Sequence, residues 1–380
     1  MISLSYIGKK NKEQILQNHT NYSFSKKWNT ENNLLISGDN YSAMQMLLRD
    51  YDLKGKIDLI YIDPPFATKN VFTAGEDRVS TISSKQSDTV AYSDVLVGEA
   101  FLEFLRERLL MAYELLSEKG SIYVHIDYKI GHYVKVLMDE IFGIENFKND
   151  ITRIKCNPKN FSRKAYGNIK DLILFYGKSK NTIWNDPREI FTEEDIKKLY
   201  KKIDEHGRFY TTIPLHAPGE TKNGVTGGTF KGLKPPPGRH WRSDPKELEK
   251  LDEDGLIEWS LNGVPRKIIY ADEQKGKKVQ DIWDFKDYQY PRYPTEKNSG
   301  VLERIIQTSS NPDSIVLDFF CGSGTTLVAA QEFGRQWIGI DKSEKAIEIT
   351  MQKLARVENK LFNQLDFDSL EIIDKMSRTG

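Results

Sequence analysis

One segment near the carboxyl end of the chain combines a strand, a glycine turn, a helix and a second strand. Ser314–Phe320 and Gln336–Ile340 are apolar runs of strand length, and Leu327–Gly334 has the composition of a helix. The turn contains Gly322 and Gly324, which let a ligand approach the backbone closely. This order predicts an α/β fold with a doubly wound sheet and a nucleotide site at the turn.

The residues around this turn restrict the kind of nucleotide. Asp341 follows the second strand about 20 residues after the turn, where such folds hold ribose hydroxyls. Leu327 occupies the third glycine position of the Gly-x-Gly-x-x-Gly pattern, and Asp318 adds an acid beside the turn. Both departures argue against a dinucleotide with a pyrophosphate. They favour a nucleoside that carries a small zwitterionic end.

A second motif lies near the amino end of the chain. Asp63-Pro64-Pro65-Phe66 follows directly after the apolar run Ile57–Ile62. Proline fixes φ and has no backbone N–H, so this corner is rigid and presents carbonyl groups. The carboxylate and the aromatic ring suit a planar ring that carries an amino group, because acceptors bind the amine while the ring stacks. An ordinary β-turn is the alternative interpretation.

Together the two motifs resemble the permuted β class of S-adenosylmethionine-dependent DNA amino-methyltransferases, most closely its adenine-N6 branch. In that family the proline corner comes early and a Phe-x-Gly-x-Gly motif, here Phe320–Gly324, comes late. Gly38-Asp39-Asn40 matches the element that meets the cofactor's adenine, and Tyr293–Lys297 resembles the Pro-Thr-(Gln/Glu)-Lys-Pro element. Asn298 stands where the family usually has proline. The resemblance covers residues from about 30 to 350.

The resemblance implies S-adenosyl-L-methionine as the cofactor and assigns residues to each part of it. Asp39 is expected near the adenine, Asp341 at the ribose, Asp318 at the methionine end, and Lys297 at the carboxylate. The full predicted cofactor set is Asp39, Asp63, Thr295, Lys297, Asp318, Phe320, Gly322, Gly324 and Asp341.

The chemistry of adenine explains the predicted catalytic residues Asp63, Pro64, Pro65 and Phe66. The lone pair of the amino group is delocalised into the ring, so this nitrogen is a weak nucleophile. Hydrogen bonds to the Asp63 carboxylate and the Pro64 carbonyl favour the more pyramidal nitrogen of the transition state. A base inside a duplex is out of reach, so the enzyme must flip it out, and Phe66 is expected to stack on it.

Double-stranded DNA is the predicted partner, although the net charge of the chain is zero. Binding to a polyanion therefore requires local basic surfaces. Residues 151–180 carry eight Lys and Arg against one acid, and residues 221–242 carry five with no acid. The predicted DNA contacts are Arg163, Lys164, Arg239 and Arg242, and by resemblance Phe161 or Tyr166 covers the flipped base. Solvated basic surfaces are the alternative.

We predict an α/β fold with a doubly wound, mostly parallel, Rossmann-like sheet, which the resemblance specifies as seven-stranded with one antiparallel strand. A polar connection at 67–93 is interpreted as a lid. The predicted regions are an N-terminal extension (1–30), a catalytic half with the proline corner and base pocket (31–180), a target-recognition insert (181–290), a cofactor-binding half (291–352) and a C-terminal tail (353–380).

Other classes of site and location find little support. Cys156 and Cys321 have no metal or redox spacing, and the six histidines form no ligand pattern, so we expect no metal and a reducing compartment. No apolar run approaches 18 residues, so no membrane span is expected. These features predict a cytoplasmic protein, and the resemblance implies that it is bacterial and associated with the nucleoid. A homodimer is compatible with the family, and cleavage of DNA would need a separate restriction endonuclease.

Four other functions fit the sequence less well. Cytosine-N4 methylation uses the same logic, but its motif more often begins with serine than with an acid such as Asp63. Cytosine-C5 methylation needs a cysteine nucleophile after proline, which neither cysteine provides. A nicotinamide-dependent oxidoreductase would leave the proline corner unexplained. A non-catalytic DNA-binding regulator would not need the chemical motifs intact.

Overall fold

The structure, a computed structural model, describes residues 3–17, 33–65, 71–74, 89–93, 98–158, 162, 164–221, 223–288, 297–361 and 370–373. Two compact units divide the chain: one comprises Met1–Pro187 with Gln280–Gly380, and the other comprises Arg188–Val279. We call them the catalytic unit and the insert unit.

Helices and strands alternate along the catalytic unit, as the apolar runs predict. The elements of both units are numbered together in chain order, and those between Arg188 and Val279 belong to the insert unit. The helices are α1 (Lys12–Gln17), α2 (Asn40–Arg49), α3 (Glu99–Leu115), α4 (Gly131–Phe142), α5 (Glu193–Leu199), α6 (Pro245–Glu253), α7 (Ser299–Ser309), α8 (Thr325–Glu332) and α9 (Glu344–Leu361). The strands are β1 (Asn33–Ser37), β2 (Ile57–Ile62), β3 (Val71–Ala74), β4 (Thr89–Ser93), β5 (Leu116–Ile126), β6 (Phe147–Ile154), β7 (Lys170–Gly177), β8 (Arg188–Glu189), β9 (Lys202–Ile203), β10 (Phe209–Pro214), β11 (His216–Pro218), β12 (Arg239–Trp241), β13 (Ile257–Trp259), β14 (Pro265–Tyr270), β15 (Lys277–Lys278), β16 (Ile282–Asp284), β17 (Ile315–Asp318), β18 (Gln336–Asp341) and β19 (Leu370–Ile373). No helix in the described ranges is long and apolar enough to cross a bilayer.

The catalytic unit is built on one large, mostly parallel sheet, which confirms the predicted fold class. Its strand order is β16-β6-β7-β5-β2-β17-β18-β1-β19, and β7 alone of these described strands runs antiparallel to its neighbours. The described part of the sheet has nine strands instead of seven, because the short strands β16 and β19 extend its two edges. All six residues of β2 are buried, as expected for a central parallel strand covered on both faces.

The sheet order brings the two sequence motifs together. β2 lies beside β17, with Leu59 opposite Val316 and Ile60 opposite Leu317. β17 in turn pairs in parallel with β18, which pairs with β1. The carboxyl ends of these four strands therefore meet at one edge of the sheet, where α/β proteins bind their ligands.

Two segments show local structure that their composition does not indicate. Glycine commonly follows the end of a helix, but α3 already stops at Leu115 and β5 continues through Gly120. A side chain there would come within 2.8 Å of the Ile57 carbonyl oxygen, so close strand packing explains this glycine. The segment 67–93, which was interpreted as a lid, contains the antiparallel pair β3–β4. Both strands are short runs of β-branched and aromatic residues within a polar segment, so the sequence did not indicate them.

The terminal regions and the insert also differ from their expected limits. In the N-terminal extension, α1 buries Ile15 in the core of the catalytic unit. The C-terminal tail begins inside α9, whose buried Ala346, Ile347, Leu354 and Val357 recur at helical spacing. The insert unit is narrower than the expected 181–290, because the chain from residue 280 onwards already belongs to the catalytic unit through β16.

The insert unit has its own sheet and its own small core. Strands β13-β14-β10-β9 form an antiparallel sheet, and β11 and β12 form a separate two-stranded ribbon. The core contains Phe230 and Trp241, whose rings meet edge to face at 6.0 Å. Trp259 stacks on Phe230 but remains 38% exposed, whereas Trp283 is buried in the catalytic unit. Of these three tryptophans, Trp241 and Trp283 are thus core residues.

Candidate active site

The proline corner begins where β2 ends, and its carboxylate is held on one side only. Asp63 Oδ2 lies 2.5 Å from Lys297 Nζ, and the two side chains are 18% and 10% exposed. The other oxygen, Asp63 Oδ1, is buried, and no donor in the described part of the chain reaches it. A buried polar atom without a partner costs about 1–3 kcal/mol, so such atoms are rare and mark functional positions.

The glycine turn after β17 adopts a conformation that only glycine accepts readily. Gly322 and Gly324 have φ of +50° and +74°. A Cβ atom on Gly324 would lie 2.5 Å from Thr350 Cγ2, whereas one on Gly322 would meet nothing within 4 Å. Thr350 also donates a hydrogen bond from Oγ1 to the Gly322 carbonyl at 3.0 Å, so α9 supports the turn. The space beside Gly322 is open to a ligand.

Two acids flank this turn, and both are hydrogen-bonded to its backbone. Asp341 accepts from the Gly322 and Ser343 amides, both at 2.8 Å, and burial raises its pKa. Asp318 accepts from the Phe320 amide at 3.0 Å and from the Thr326 hydroxyl at 2.6 Å. Burial raises the pKa of Asp318 to about 7, with the charges of Asp63 and Asp341 adding to the effect.

Asp39 lies at the end of β1 and caps α2. Its Oδ1 accepts from the Ser42 amide at 3.0 Å, and its Oδ2 accepts from Arg108 at 3.1 Å. Arg108 also donates to Asn40 Oδ1 at 2.5 Å, and the Asn40 amide group donates to the Phe319 carbonyl at 2.7 Å. Asn40 thereby connects the ends of β1 and β17, and the buried Arg108 binds both Asn40 and Asp39.

The structure places most predicted cofactor residues at the same edge of the sheet. Asp39, Asp63, Asp318, Phe320, Gly322, Gly324 and Asp341 follow or end β1, β2, β17 and β18. Lys297 joins them through its ion pair with Asp63, although it was expected at a cofactor carboxylate. Pro64 is buried and Pro65 half-buried. Phe66, Phe161, Arg163 and Thr295 lie outside the described residues.

The predicted DNA contacts fall on both units. In the catalytic unit, Lys164 and Tyr166 lie on the connection between β6 and β7, and Tyr166 is 96% exposed. In the insert unit, Arg239 and Arg242 are exposed on and beside β12. Each unit thus presents basic or aromatic side chains to solvent.

The exposed arginines of the insert unit bind neutral acceptors. Arg239 meets His216 Nδ1 at 3.2 Å, and Arg242 donates to the Pro214 carbonyl at 3.1 Å. Burial lowers the pKa of His216, and the charges of Arg239, Arg242 and Arg266 lower it further. These arginines therefore form one local positive cluster, the β11–β12 cluster.

Sequence reasoning missed Arg108 and Thr350. Arg108 is 5% exposed and its guanidinium lies 3.6 Å from the Phe104 ring centroid. Its position on the apolar face of α3, three residues after Leu105, is an available signal, since a buried arginine needs partners. Thr350 lies on α9 and carries no comparable signal. No group of three or more His, Cys, Asp or Glu in the described part of the chain could hold a metal ion.

Comparison with known proteins identifies the family. The DNA methylase family (N6_N4_Mtase) matches residues 57–352. The chain belongs to this family. It is a DNA methyltransferase, and the matched range contains the proline corner, the insert unit and the glycine turn.

Curated relatives of this DNA methylase include a type II methyltransferase and a subunit of a type III restriction–modification enzyme. Type II methyltransferase M.EcaI of Enterobacter cloacae is 41% identical over 368 residues, covering 93% of this chain and 78% of M.EcaI. The type III restriction-modification enzyme StyLTI Mod subunit of Salmonella typhimurium is 27% identical over 344 residues, covering 80% of this chain. The aligned region spans 50% of the Mod subunit.

Solved structures are more distant from this DNA methylase. TTHA0409 of Thermus thermophilus, a putative DNA modification methylase complexed with S-adenosyl-L-methionine, is 15% identical with a TM-score of 0.47. The match covers 91% of this chain and 99% of that chain. The M1.HpyAVI–SAM complex is 17% identical with a TM-score of 0.45, covering 84% and 100%. Likeness of this degree identifies no individual residues.

Proposed function

We propose that this DNA methylase transfers a methyl group from S-adenosyl-L-methionine to the exocyclic N6 of an adenine in a short duplex sequence. The observation that carries the proposal is that the two carboxylate oxygens of Asp63 differ in their partners. One oxygen is bound by Lys297, and the buried second oxygen has no described partner. An ionised carboxylate only accepts hydrogen bonds, so the second oxygen needs a donor such as an amino group.

The residues around the glycine turn fit the proposed cofactor. The acids Asp318 and Asp341 suit a ligand that carries sulfonium and ammonium charges. We assign a ribose hydroxyl to Asp341, because its carboxylate oxygens can accept more hydrogen bonds than those from Gly322 and Ser343. The open space beside Gly322 admits a ligand against the backbone. When bound, S-adenosyl-L-methionine supplies an electrophilic methyl group on a sulfonium centre.

The chain itself then has to activate the amine. Asp63 Oδ1 accepts one N–H of the flipped adenine, and the Pro64 carbonyl accepts the other. Both hydrogen bonds strengthen as positive charge develops on the nitrogen, so they stabilise the transition state more than the ground state. Lys297 keeps the position of the carboxylate through Oδ2, which leaves Oδ1 for the base. The rigid proline pair keeps both acceptors at a constant separation.

Methyl transfer is tested directly with purified protein, S-adenosyl-L-methionine and unmethylated bacterial genomic DNA. Modified bases are then mapped by single-molecule sequencing. We expect N6-methyladenine confined to one short sequence. N4-methylcytosine would contradict the assigned base, and unmodified DNA from protein that binds the cofactor would contradict the proposed activity.

Cofactor binding should depend on pH through Asp318. Burial raises the pKa of Asp318 to about 7, so below pH 7 its carboxyl group is protonated. A positively charged ligand favours the ionised form, and binding should then release one proton. Affinity should fall by up to about tenfold for each pH unit below 7 and level off above it. Calorimetry in buffers of different ionisation enthalpy measures the released proton.

Asp318→Asn serves as the comparison for this pH dependence. The amide cannot ionise, so the variant should bind the cofactor more weakly at pH 8 and show a shallower pH dependence. An unchanged pH profile in the variant would show that another group, such as Asp341 with its raised pKa, controls the effect.

The β11–β12 cluster should contribute to DNA binding by pairing with phosphates. Replacing Arg239 and Arg242 by alanine should lower the slope of log K against log salt by about 0.9 for each arginine–phosphate pair removed, or about 1.8 together. Arg208→Ala is the matched control in the insert unit, because Asp272 and Glu273 already neutralise its guanidinium. Fluorescence anisotropy with duplex DNA from about 50 to 300 mM salt gives both slopes. Equal slopes for the two variants would contradict the role of the cluster.

We also propose that the methylase protects DNA from a separate restriction endonuclease. Its relatives include a type II methyltransferase and the Mod subunit of a type III restriction–modification enzyme, which supports this pairing. The predicted homodimer remains a prediction.

A further inference from the structure

A chain of buried hydrogen bonds crosses the sheet beside the proline corner. The Tyr61 hydroxyl lies 2.9 Å from His125 Nδ1, and His125 Nε2 lies 3.3 Å from Asp171 Oδ2. All three side chains are nearly inaccessible, with exposures of 2%, 0% and 3%. They stand on β2, β5 and β7, which are neighbours in the sheet. Burying three polar groups in a row is costly unless each is paired, so their arrangement is specific.

Two cations lie beside Asp171, the last residue of this series of hydrogen bonds. Lys155 Nζ lies 2.5 Å from Asp171 Oδ1, and Arg153 Nη1 lies 3.5 Å from Asp171 Oδ2. Arg153 is fully buried and also donates from Nε to the Phe285 carbonyl at 2.8 Å. Burial raises the pKa of Asp171, but hydrogen bonds from His125 and Lys155 outweigh it and hold this pKa well below its usual range. Asp171 is therefore ionised at neutral pH.

The proton positions along the chain follow from these charges. Burial lowers the pKa of His125, although the hydrogen bond with Asp171 opposes it, so the imidazole is neutral. An ionised carboxylate only accepts, so His125 carries its proton on Nε2 and its Nδ1 is an acceptor. Burial raises the pKa of Tyr61 well above its usual value, and its hydroxyl donates to that nitrogen. The Tyr61 hydroxyl thus donates to His125, and His125 in turn donates to Asp171.

The hydrogen-bonded residues Tyr61, His125 and Asp171 are linked to Asp63 by their place in the sheet. Tyr61 lies on β2 only two residues before Asp63, so its position helps to set that of the backbone that carries Asp63. Besides burial, the charge of Asp63 contributes to the raised pKa of Tyr61 and acts on His125. The glycine turn lies on the β17 side of β2, whereas the hydrogen-bonded chain lies on the β5 side. The side-chain hydrogen bonds described for Gly322 in the glycine turn go to Asp341 and Thr350 and involve none of these three side chains.

We propose that His125 is a positioning residue for methyl transfer. Neutral and bonded at both ring nitrogens, it connects Tyr61 to the Asp171 anchor and sets the position of the end of β2, and so of Asp63 Oδ1. The proposal rests on the proposed function, because its effect is read in the rate of methyl transfer. It assigns no contact with substrate or cofactor to His125.

A pair of tyrosine variants tests the proposal. Tyr61→Phe removes the hydroxyl bonded to His125, whereas Tyr123→Phe removes that of its cross-strand neighbour, which bonds Ser309 Oγ at 2.8 Å. Both residues are 2% exposed, so the two variants should lose similar stability. We expect kcat of Tyr61→Phe to fall by about 10- to 100-fold, with KM for DNA and cofactor changed less than about twofold. Tyr123→Phe should keep the wild-type kcat.

A double variant shows whether the residues act as one unit. His125→Gln keeps a donor towards Asp171 through its amide NH2 group, but it places no acceptor at the ring position of Nδ1, to which Tyr61 is bonded. If the proposal holds, Tyr61→Phe should add little to the loss in His125→Gln, because the link is already broken. Independent, multiplying losses would overturn it, as would equal kcat losses in Tyr61→Phe and Tyr123→Phe or a wild-type kcat in Tyr61→Phe. Absence of methylation by the wild-type protein would instead overturn the proposed function and, with it, this role.

Discussion

Replacing Asp63 by asparagine should lower kcat by about 100- to 1000-fold while leaving cofactor affinity within about threefold. The amide has a single oxygen, so it can accept from Lys297 or from the target amine but not from both. Its acceptor is also uncharged and stabilises the developing positive charge less. Single-turnover methylation with saturating DNA measures the chemical step, and calorimetry measures cofactor binding.

Asp58→Asn is the matched control for this variant. Asp58 is a buried acid on the same strand and accepts hydrogen bonds from Ser117 at 2.7 Å and Ser314 at 2.8 Å. It lies at the opposite end of β2, so its loss should lower stability without changing kcat. Activity of Asp63→Asn within about tenfold of the wild type would mean that this carboxylate does not bind the amine.

Replacing Gly324 by alanine should weaken cofactor binding by at least about tenfold. The left-handed backbone costs about 1–2 kcal/mol for a residue with a Cβ atom, and this Cβ would collide with Thr350 at 2.5 Å. Thr350 cannot move without releasing the Gly322 carbonyl, so the collision alters the turn that faces the ligand. Calorimetric titration with S-adenosyl-L-methionine gives the change in affinity.

Gly334 separates the effect of strain from the effect of collision. It lies just after α8, at the opposite end of the helix from Gly324, with φ of +67° and nothing within 4 Å of an added Cβ. Gly334→Ala should therefore carry a similar backbone cost and a similar loss of thermal stability, but bind the cofactor normally. If both variants lose affinity equally, the turn is sensitive to general destabilisation and the role of the Thr350 contact is refuted.

Much of the fold was predictable because local and global signals agree in the catalytic unit. Buried apolar runs such as Ile57–Ile62 end in turn residues, and helical spacing separates them. The edge strands were not predictable, because β16 and β19 are short and their sequences carry no continuous apolar run. Gly120 illustrates a related difficulty, because a glycine in a sequence indicates a turn unless the close approach of a neighbouring strand is known.

The candidate site was predictable where chemistry is local and not where it spans the chain. Asp63 and Asp318 stand at the ends of strands, which sequence periodicity locates. Lys297 lies more than two hundred residues from Asp63 in the sequence, so their ion pair could not be predicted without knowing that β2 pairs with β17. The sequence did not indicate a role for His125 or Asp171, because single polar residues in apolar strands are commonly hydrogen-bonded within the core and have no catalytic function. The basic residues of the insert unit were visible, but not their neutral partners.

The pairing of β2 with β17 also orders events during synthesis of the protein. The strand that carries the proline corner leaves the ribosome early, yet its neighbour on one side is Ile315–Asp318. Domains fold as their residues emerge, so β2 must wait for most of the chain before that side is covered. The insert unit, Arg188–Val279, is complete sooner. A nascent chain therefore completes the strand neighbours of the proline corner and the glycine turn in the same late step, and we expect methylation of DNA only after that step.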